Sequence, residues 1–290
     1  MDLQLSMKLK LIPEIDFEYK FFGEVRNFLQ DVQNFKDDRG IEIQRVGVTN
    51  LTLPFLIKTF PPNDYQDYQS VTAQVRFTVS LPQEFKGTHM SRFIEILLPW
   101  CKKPIAESEL ESILREACEK LQAQSAQIRL SFKYFVEKSA PVSQKKSLLD
   151  LDCYFEATLD QKFKFELGVE VPFTSLCPCS KEISRFGAHN QRSIARVSVR
   201  FKDECISIED LSALIESQGS QPIYPLLKRE DEKFVTEAAY ENPKFVEDIL
   251  RDLILALRQL KGIEFFSIEC ENFESIHHHN AFASHKEEVN

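Results

Sequence analysis

Alternation of apolar and polar side chains with period two marks several segments as strands with one buried face. Val75, Phe77, Val79 and Leu81 alternate with Gln74, Arg76, Thr78 and Ser80, and the same rhythm runs from Ile128 to Val136. Leu149, Leu151, Cys153, Phe155, Ala157 and Leu159 form another such strand. Phe163, Phe165, Leu167, Val169 and Val171 follow directly as its hairpin partner. Between the first two strands, Leu110, Ile113, Leu114, Ala117, Cys118 and Leu121 recur at steps of three and four, which predicts a helix. Upstream, Ile41 to Phe60 reads as an extended segment with Gly47 and Pro54 in it, and Pro61, Pro62 and Asn63 read as a turn.

The second half repeats that order. Ile194 to Phe201 reads as a strand and Leu211 to Ile215 as part of a helix. Phe245, Val246, Ile249, Leu250, Leu253, Ile254 and Leu257 outline a long amphipathic helix, with Asn242 as its cap and Pro243 in its first turn. Phe265 to Phe273 closes as a strand. The pattern predicts an α+β protein with antiparallel sheet, built as two successive units over 41–160 and 161–290, the second carrying the candidate site. Residues 1–40, with Phe21, Phe22 and Phe28, read as a partly ordered, polar lead-in.

Composition narrows the class. Thirty-six basic residues stand against 45 acidic ones, a net of −9, which argues against generic nucleic-acid binding because that needs an extended basic footprint. No stretch reaches the run of apolar residues that a membrane span needs, and the opening Met-Asp-Leu-Gln lacks the basic flank and apolar core of a secretory signal. Seven cysteines, an odd and scattered set, fit reduced thiols in the cytoplasm rather than a disulfide framework. The eight glycines form neither a dinucleotide fingerprint nor a Walker loop. A bound polyphosphate would therefore rest on cationic side chains and on backbone amides at turns.

Candidate chemistry concentrates between Ser175 and Ser193. Cys177 and His189 stand twelve positions apart, with Pro178 and Gly187 as breakers between them, so the chain can turn back and aim thiol and imidazole at one point. That pair suits zinc or a similar borderline ion, and a catalytic site uses three protein ligands so that one position stays open. Taken singly, each residue reads more readily as an ordinary core or surface side chain than as a ligand.

The string SLCPCSKEIS-RFGAHNQRS resembles the type IB GTP cyclohydrolases, metal-dependent enzymes that open the guanine ring of GTP to form dihydroneopterin triphosphate for folate synthesis. Three further blocks in the same order carry the resemblance: LPQEFKGTHMSRFIEIL from Leu81, YPLLKREDEKFVTEAAYENPKFVEDILRD from Tyr224, and ENFESIHHHNAFA from Glu271. The resemblance implies the tunnelling fold, with two tandem units per chain, in a homotetramer with active sites at subunit interfaces.

It also implies roles. Cys177, His189 and Glu232 would hold a divalent zinc, manganese or iron ion, and Glu247 would accept the N1-H and exocyclic amine of guanine. His277 would move protons, with Glu274 as its orienting carboxylate. Lys86, Arg92, Lys181 and Arg192 lie inside the family blocks and are the candidates for holding the triphosphate of GTP, and His89, in the same block as Lys86, is the candidate for a pocket residue borrowed from a neighbouring subunit. Cys179 stays open between a supporting thiol, a redox partner of Cys177 and an occasional ligand. Two rival readings are a nitrile reductase on the same fold, with a nucleophilic Cys and NADPH, and a metal- or pterin-binding module without turnover.

Overall fold

The computed structural model describes residues 31–63, 66–203 and 205–289; the phenylalanines 21, 22 and 28 of the lead-in lie outside them. The first strand, β1 (Ile43–Asn63), pairs antiparallel with β2 (Gln66–Leu81). Helix α1 (Met90–Leu97), the two-residue β3 (Pro104–Ile105) and α2 (Glu107–Leu121) follow, then the antiparallel run β4 (Ala126–Ser139), β5 (Lys146–Leu159) and β6 (Phe163–Leu176). The short α3 (Pro178–Ile183) leads into β7 (Asn190–Phe201), α4 (Ile208–Glu216) and β8 (Gln221–Pro222). Helices α5 (Arg229–Glu241) and α6 (Val246–Arg258) precede β9 (Ile263–Asn272) and β10 (Ala281–Glu288).

All ten strands belong to one sheet in the order β10-β9-β7-β6-β5-β4-β2-β1-β3, with β8 added beside β6. Period-two patterning gives this sheet two unlike faces. Ile128, Leu130, Phe132, Tyr134 and Val136 of β4 are buried, as are Leu167, Val169, Val171 and Phe173 of β6, and α2, α4 and α6 cover that face. The other face carries a lattice of ion pairs, including Arg129–Glu156 at 2.6 Å, Lys133–Asp152 at 2.7 Å and Arg196–Glu271 at 3.0 Å. Tyr154 lies in this lattice between Arg129, 3.5 Å from its ring centre, and Gly168, where an added Cβ would meet the ring at 2.0 Å.

The mixed α+β class and the antiparallel sheet expected from the pattern are those observed, except that the two-residue β3 pairs parallel with β1. Two local expectations are corrected. β1 continues through Pro61 and Pro62 to Asn63, an outer position beside β2 where proline's missing N-H costs little. Asn242 and Pro243 do not start the long helix. Asn242 ends α5, and its amide donates to the carbonyls of Gly219 and Ser220 at 3.1 and 3.2 Å. α6 begins at Val246, where the Asp248 carboxylate accepts the Phe245 N-H at 3.1 Å.

Candidate metal centre and active site

The end of β6 delivers Cys177, and two further segments hold that end in place. The Leu176 N-H donates to Ser220 Oγ at 3.1 Å, and the Leu176 carbonyl accepts the Lys244 N-H at 3.0 Å. The Ser220 N-H in turn donates to the Thr174 carbonyl at 2.9 Å. Pro178 then stops the ladder and starts α3, with Cys177 as the capping residue. The Cys177 sulfur accepts the Ser180 N-H at 3.4 Å. Ser180 Oγ donates to the Cys177 carbonyl at 3.1 Å and accepts the His189 N-H at 3.2 Å. Gly187, at φ +114°, takes the backbone conformation that brings the chain back to β7.

Across this loop the Cys177 N-H donates to the His189 carbonyl at 3.1 Å, so thiol and imidazole leave the same end of the sheet. His189 is largely buried. Its Nδ1 lies 2.9 Å from Gln191 Oε1 and 3.8 Å from Glu274 Oε2. Behind Gln191, Ser175 and Ser193 form a buried hydroxyl pair, with the Gln191 amide donating to Ser175 Oγ at 2.8 Å and Ser193 Oγ donating to it at 2.8 Å. These three residues were passed over in the sequence, although a signal was there. They occupy inward positions of β6 and β7, in register with Val171, Phe173, Ala195 and Val197, where the alternation calls for apolar side chains.

The other expected residues divide into two groups. Close to Cys177, Lys181 donates to the Tyr240 carbonyl at 2.5 Å and lies 4.3 Å from the Tyr240 ring centre, tying α3 to the end of α5. Arg192 is exposed, and its carbonyl accepts the Phe273 N-H at 2.9 Å, which joins β7 to the segment carrying Glu274. Glu247 is exposed in the first turn of α6, whose approach is anchored to Leu176 through Lys244. Glu232 is exposed one turn before Thr236, which donates to the Glu232 carbonyl at 2.7 Å. Thr236 lines a cavity of about 480 Å³ with Leu176, Gly187, Asn190 and Tyr240. Glu274 faces His189, while the exposed His277 stacks on His279 with ring centres 5.1 Å apart. Cys179 is exposed.

Lys86, His89 and Arg92 are elsewhere. They follow β2, whose end is level, through the registers Val79–Ala126, Ala126–Leu159 and Leu159–Phe163, with the beginning of β6. Cys177 follows the end of β6, a strand of 14 residues that spans roughly 40 Å at about 3.3 Å per residue. Within one protomer the two groups therefore sit at opposite ends of the sheet. Arg92 donates to the Lys120 carbonyl at 3.1 Å, and His89 caps α1 with Nε2 3.2 Å from Asp31 Oδ2. Among the described residues, no three His, Cys, Asp or Glu side chains are gathered closely enough to hold a metal.

The donor chemistry nevertheless fits a borderline divalent ion at Cys177 and His189. A thiol and an imidazole share one loop, and the imidazole is supported from behind by an amide and a carboxylate. Residues 29–283, which include every candidate side chain, match the family model described as type I GTP cyclohydrolase FolE2. The chain belongs to the FolE2 family of type I GTP cyclohydrolases. The relative from Geobacter sp. strain M21, named GTP cyclohydrolase FolE2, is 52% identical over 256 residues, covering 88% of this chain and 94% of its own. The FolE2 protein of Dictyoglomus thermophilum is 48% identical over 255 residues, covering 88% and 96%. Among solved structures, urate oxidase from Bacillus sp. TB-90 shares the tunnelling fold at TM-score 0.50 and 9% identity, over 85% of this chain and all of that one. No helix among the described residues of this FolE2 chain is long and apolar enough to cross a membrane.

Proposed function

We propose that this FolE2 chain hydrolyses GTP at C8 of the guanine imidazole ring, releases formate and forms 7,8-dihydroneopterin triphosphate, the first step of tetrahydrofolate biosynthesis. The observation that carries the reading is the convergence of Cys177 and His189 at one end of the sheet, with Glu274 behind the imidazole. Cys177 and His189 would hold a divalent ion, zinc, manganese or iron, with Glu232 completing the set from the α5 face that continues into the adjacent cavity. When bound, such an ion supplies Lewis acidity and makes water nucleophilic at neutral pH.

The chain's own side chains supply recognition and proton handling. The exposed Glu247 carboxylate has both oxygens available for the two adjacent N-H donors that distinguish guanine from adenine. His277 takes the proton-carrying role, exchanging protons with the ring nitrogen and later with the opened ribose. Lys181 and Arg192 lie beside the site and are the local candidates for the triphosphate.

Because Lys86, His89 and Arg92 lie at the far end of the sheet, their part in the same site requires a second subunit. Among the described strands, β10 bonds to β9 alone, and β1 carries beyond β2 only the short β3, at Leu56 and Ile57. Two sheet borders are therefore suited to joining copies, in keeping with a homotetramer. The free cysteines suit a reducing cytoplasm.

Anaerobic turnover of GTP by metal-stripped protein, reloaded separately with zinc, manganese or iron, tests the reading through formate release and pterin fluorescence. The expected result is metal-dependent pterin formation that disappears in Cys177→Ala. Absence of pterin with every ion, despite metal uptake, would overturn it, and consumption of NADPH with a nitrile substrate would point instead to reductase chemistry.

A further inference from the structure

Gln191 is a buried amide that shares the inward face of β6 and β7 with Ser175, Ser193 and the apolar Val171, Phe173, Ala195 and Val197, and burial of an amide is unfavourable unless its groups are bonded. Its NH2 group donates to Ser175 Oγ at 2.8 Å, on a serine with no exposed surface that also accepts from Ser193. With the NH2 committed there, the amide oxygen is the atom that meets His189 Nδ1 at 2.9 Å. A carbonyl oxygen only accepts, so a neutral imidazole must carry its proton on Nδ1 to bond with it. Glu274 Oε2, 3.8 Å from the same nitrogen, favours that proton as well, since the opposite tautomer would turn a lone pair toward a carboxylate.

We propose that Gln191 is a positioning residue that holds His189 in the Nδ1-H tautomer and so leaves the Nε2 lone pair free to bind a divalent cation. The proposal rests on the reading of His189 as a metal ligand. Turning the amide over would place NH2 against Nδ1, move the proton to Nε2 and block the binding atom. The Glu274 carboxylate opposes that turn, because it would then face the bare Nδ1 lone pair, so Gln191, bonded from behind to the Ser175–Ser193 pair, and Glu274 favour the same tautomer. Loss of such outer partners typically weakens metal binding about 10- to 100-fold.

The test is a two-bond proton–nitrogen correlation spectrum of 15N-labelled, metal-free protein at a pH where His189 is neutral, with His189→Ala to assign the signals. Zinc affinity is measured in parallel by competition with a fluorescent chelator. Wild type is expected to show the Nδ1-H pattern. Gln191→Met, similar in size but without the acceptor, should shift His189 toward Nε2-H and weaken zinc binding by about 10- to 100-fold. Gln191→Glu, which still accepts from Nδ1-H, should keep both tautomer and affinity. An Nε2-H pattern in wild type, or a Gln191→Met protein with unchanged tautomer and affinity, would overturn the proposal. If His189→Ala binds zinc as wild type does, the ligand reading itself fails; if it loses zinc while Gln191→Met retains it, only the positioning role fails. Should Gln191→Met not fold, the wild-type spectrum still decides.

Discussion

The Cys177 N-H and the His189 carbonyl meet at 3.1 Å across the loop that joins β6 to β7, so the two side chains best suited to hold a metal are fixed relative to one another by backbone. This bond extends a ladder whose last regular pair is Leu176–Asn190. Replacing either ligand is therefore expected to remove metal binding without disturbing the strands. Cys177→Ala and His189→Ala should each reduce pterin formation by more than the roughly 10- to 100-fold typical of losing an outer partner. Far-ultraviolet circular dichroism should remain that of the native protein. Metal content per chain, measured on gel-filtered protein, checks this directly.

The separation of roughly 40 Å between the His89 block and Cys177 along the sheet predicts shared sites. His89→Ala and Cys177→Ala, each inactive alone, should recover activity when co-expressed and co-purified. In random mixtures roughly a quarter of the sites would combine an intact Cys177 from one subunit with an intact His89 from another, which sets the expected ceiling. Mixed oligomers that assemble but stay inactive would exclude His89 from the site.

Much of this was legible because the strands alternate cleanly. β4, β5 and β6 match their expected segments, and the family match spans every candidate residue. What escaped notice lacked an apolar stripe. In α5 only Asp231 and Ala239 are buried, so no helical period shows, and with α5 unseen, Asn242 and Pro243 looked like the start of the next helix. β10 was missed for a related reason, since it alternates between half-buried and exposed positions at the sheet border and carries His285, Lys286, Glu287 and Glu288. Gln191, Ser175 and Ser193 read as ordinary strand polarity until their inward register was known.

A carboxyl far from the candidate metal centre gives the protein a pH signature. Glu107 lines a cleft of about 590 Å³ between the starts of α2 and α4, where burial and the neighbouring Glu111 push its pKa up to about 7 from an ordinary 4.5. The folded protein thus binds this proton more tightly than the unfolded chain. Stability from this group is full below about 4.5 and falls as pH rises toward 7. Glu107→Gln should leave urea stability unchanged at pH 4 and raise it at pH 8 by about 1 to 2 kcal/mol, allowing for partial exposure. Equal midpoints for both proteins at pH 8 would contradict the shift.

Asp231 connects the two halves of the chain next to Glu232. Its buried carboxylate accepts the Val142 and Ser143 N-H groups at 2.8 Å each, Ser143 Oγ at 2.6 Å and the Lys228 N-H at 2.8 Å. These bonds pin the first turn of α5 to the turn between β4 and β5, and so set where the Glu232–Thr236 face falls beside the cavity. Asp231→Asn would bring an NH2 group among four converging donors. It is expected to lower Tm more than Ser143→Ala does, because the latter removes one donor and leaves three bonded. If the anchor also serves the site, Asp231→Asn should weaken zinc binding in a wild-type background but not when Glu232→Gln is already present. A double-mutant cycle reads that coupling, and additive losses would show that Asp231 supports the fold without acting through Glu232.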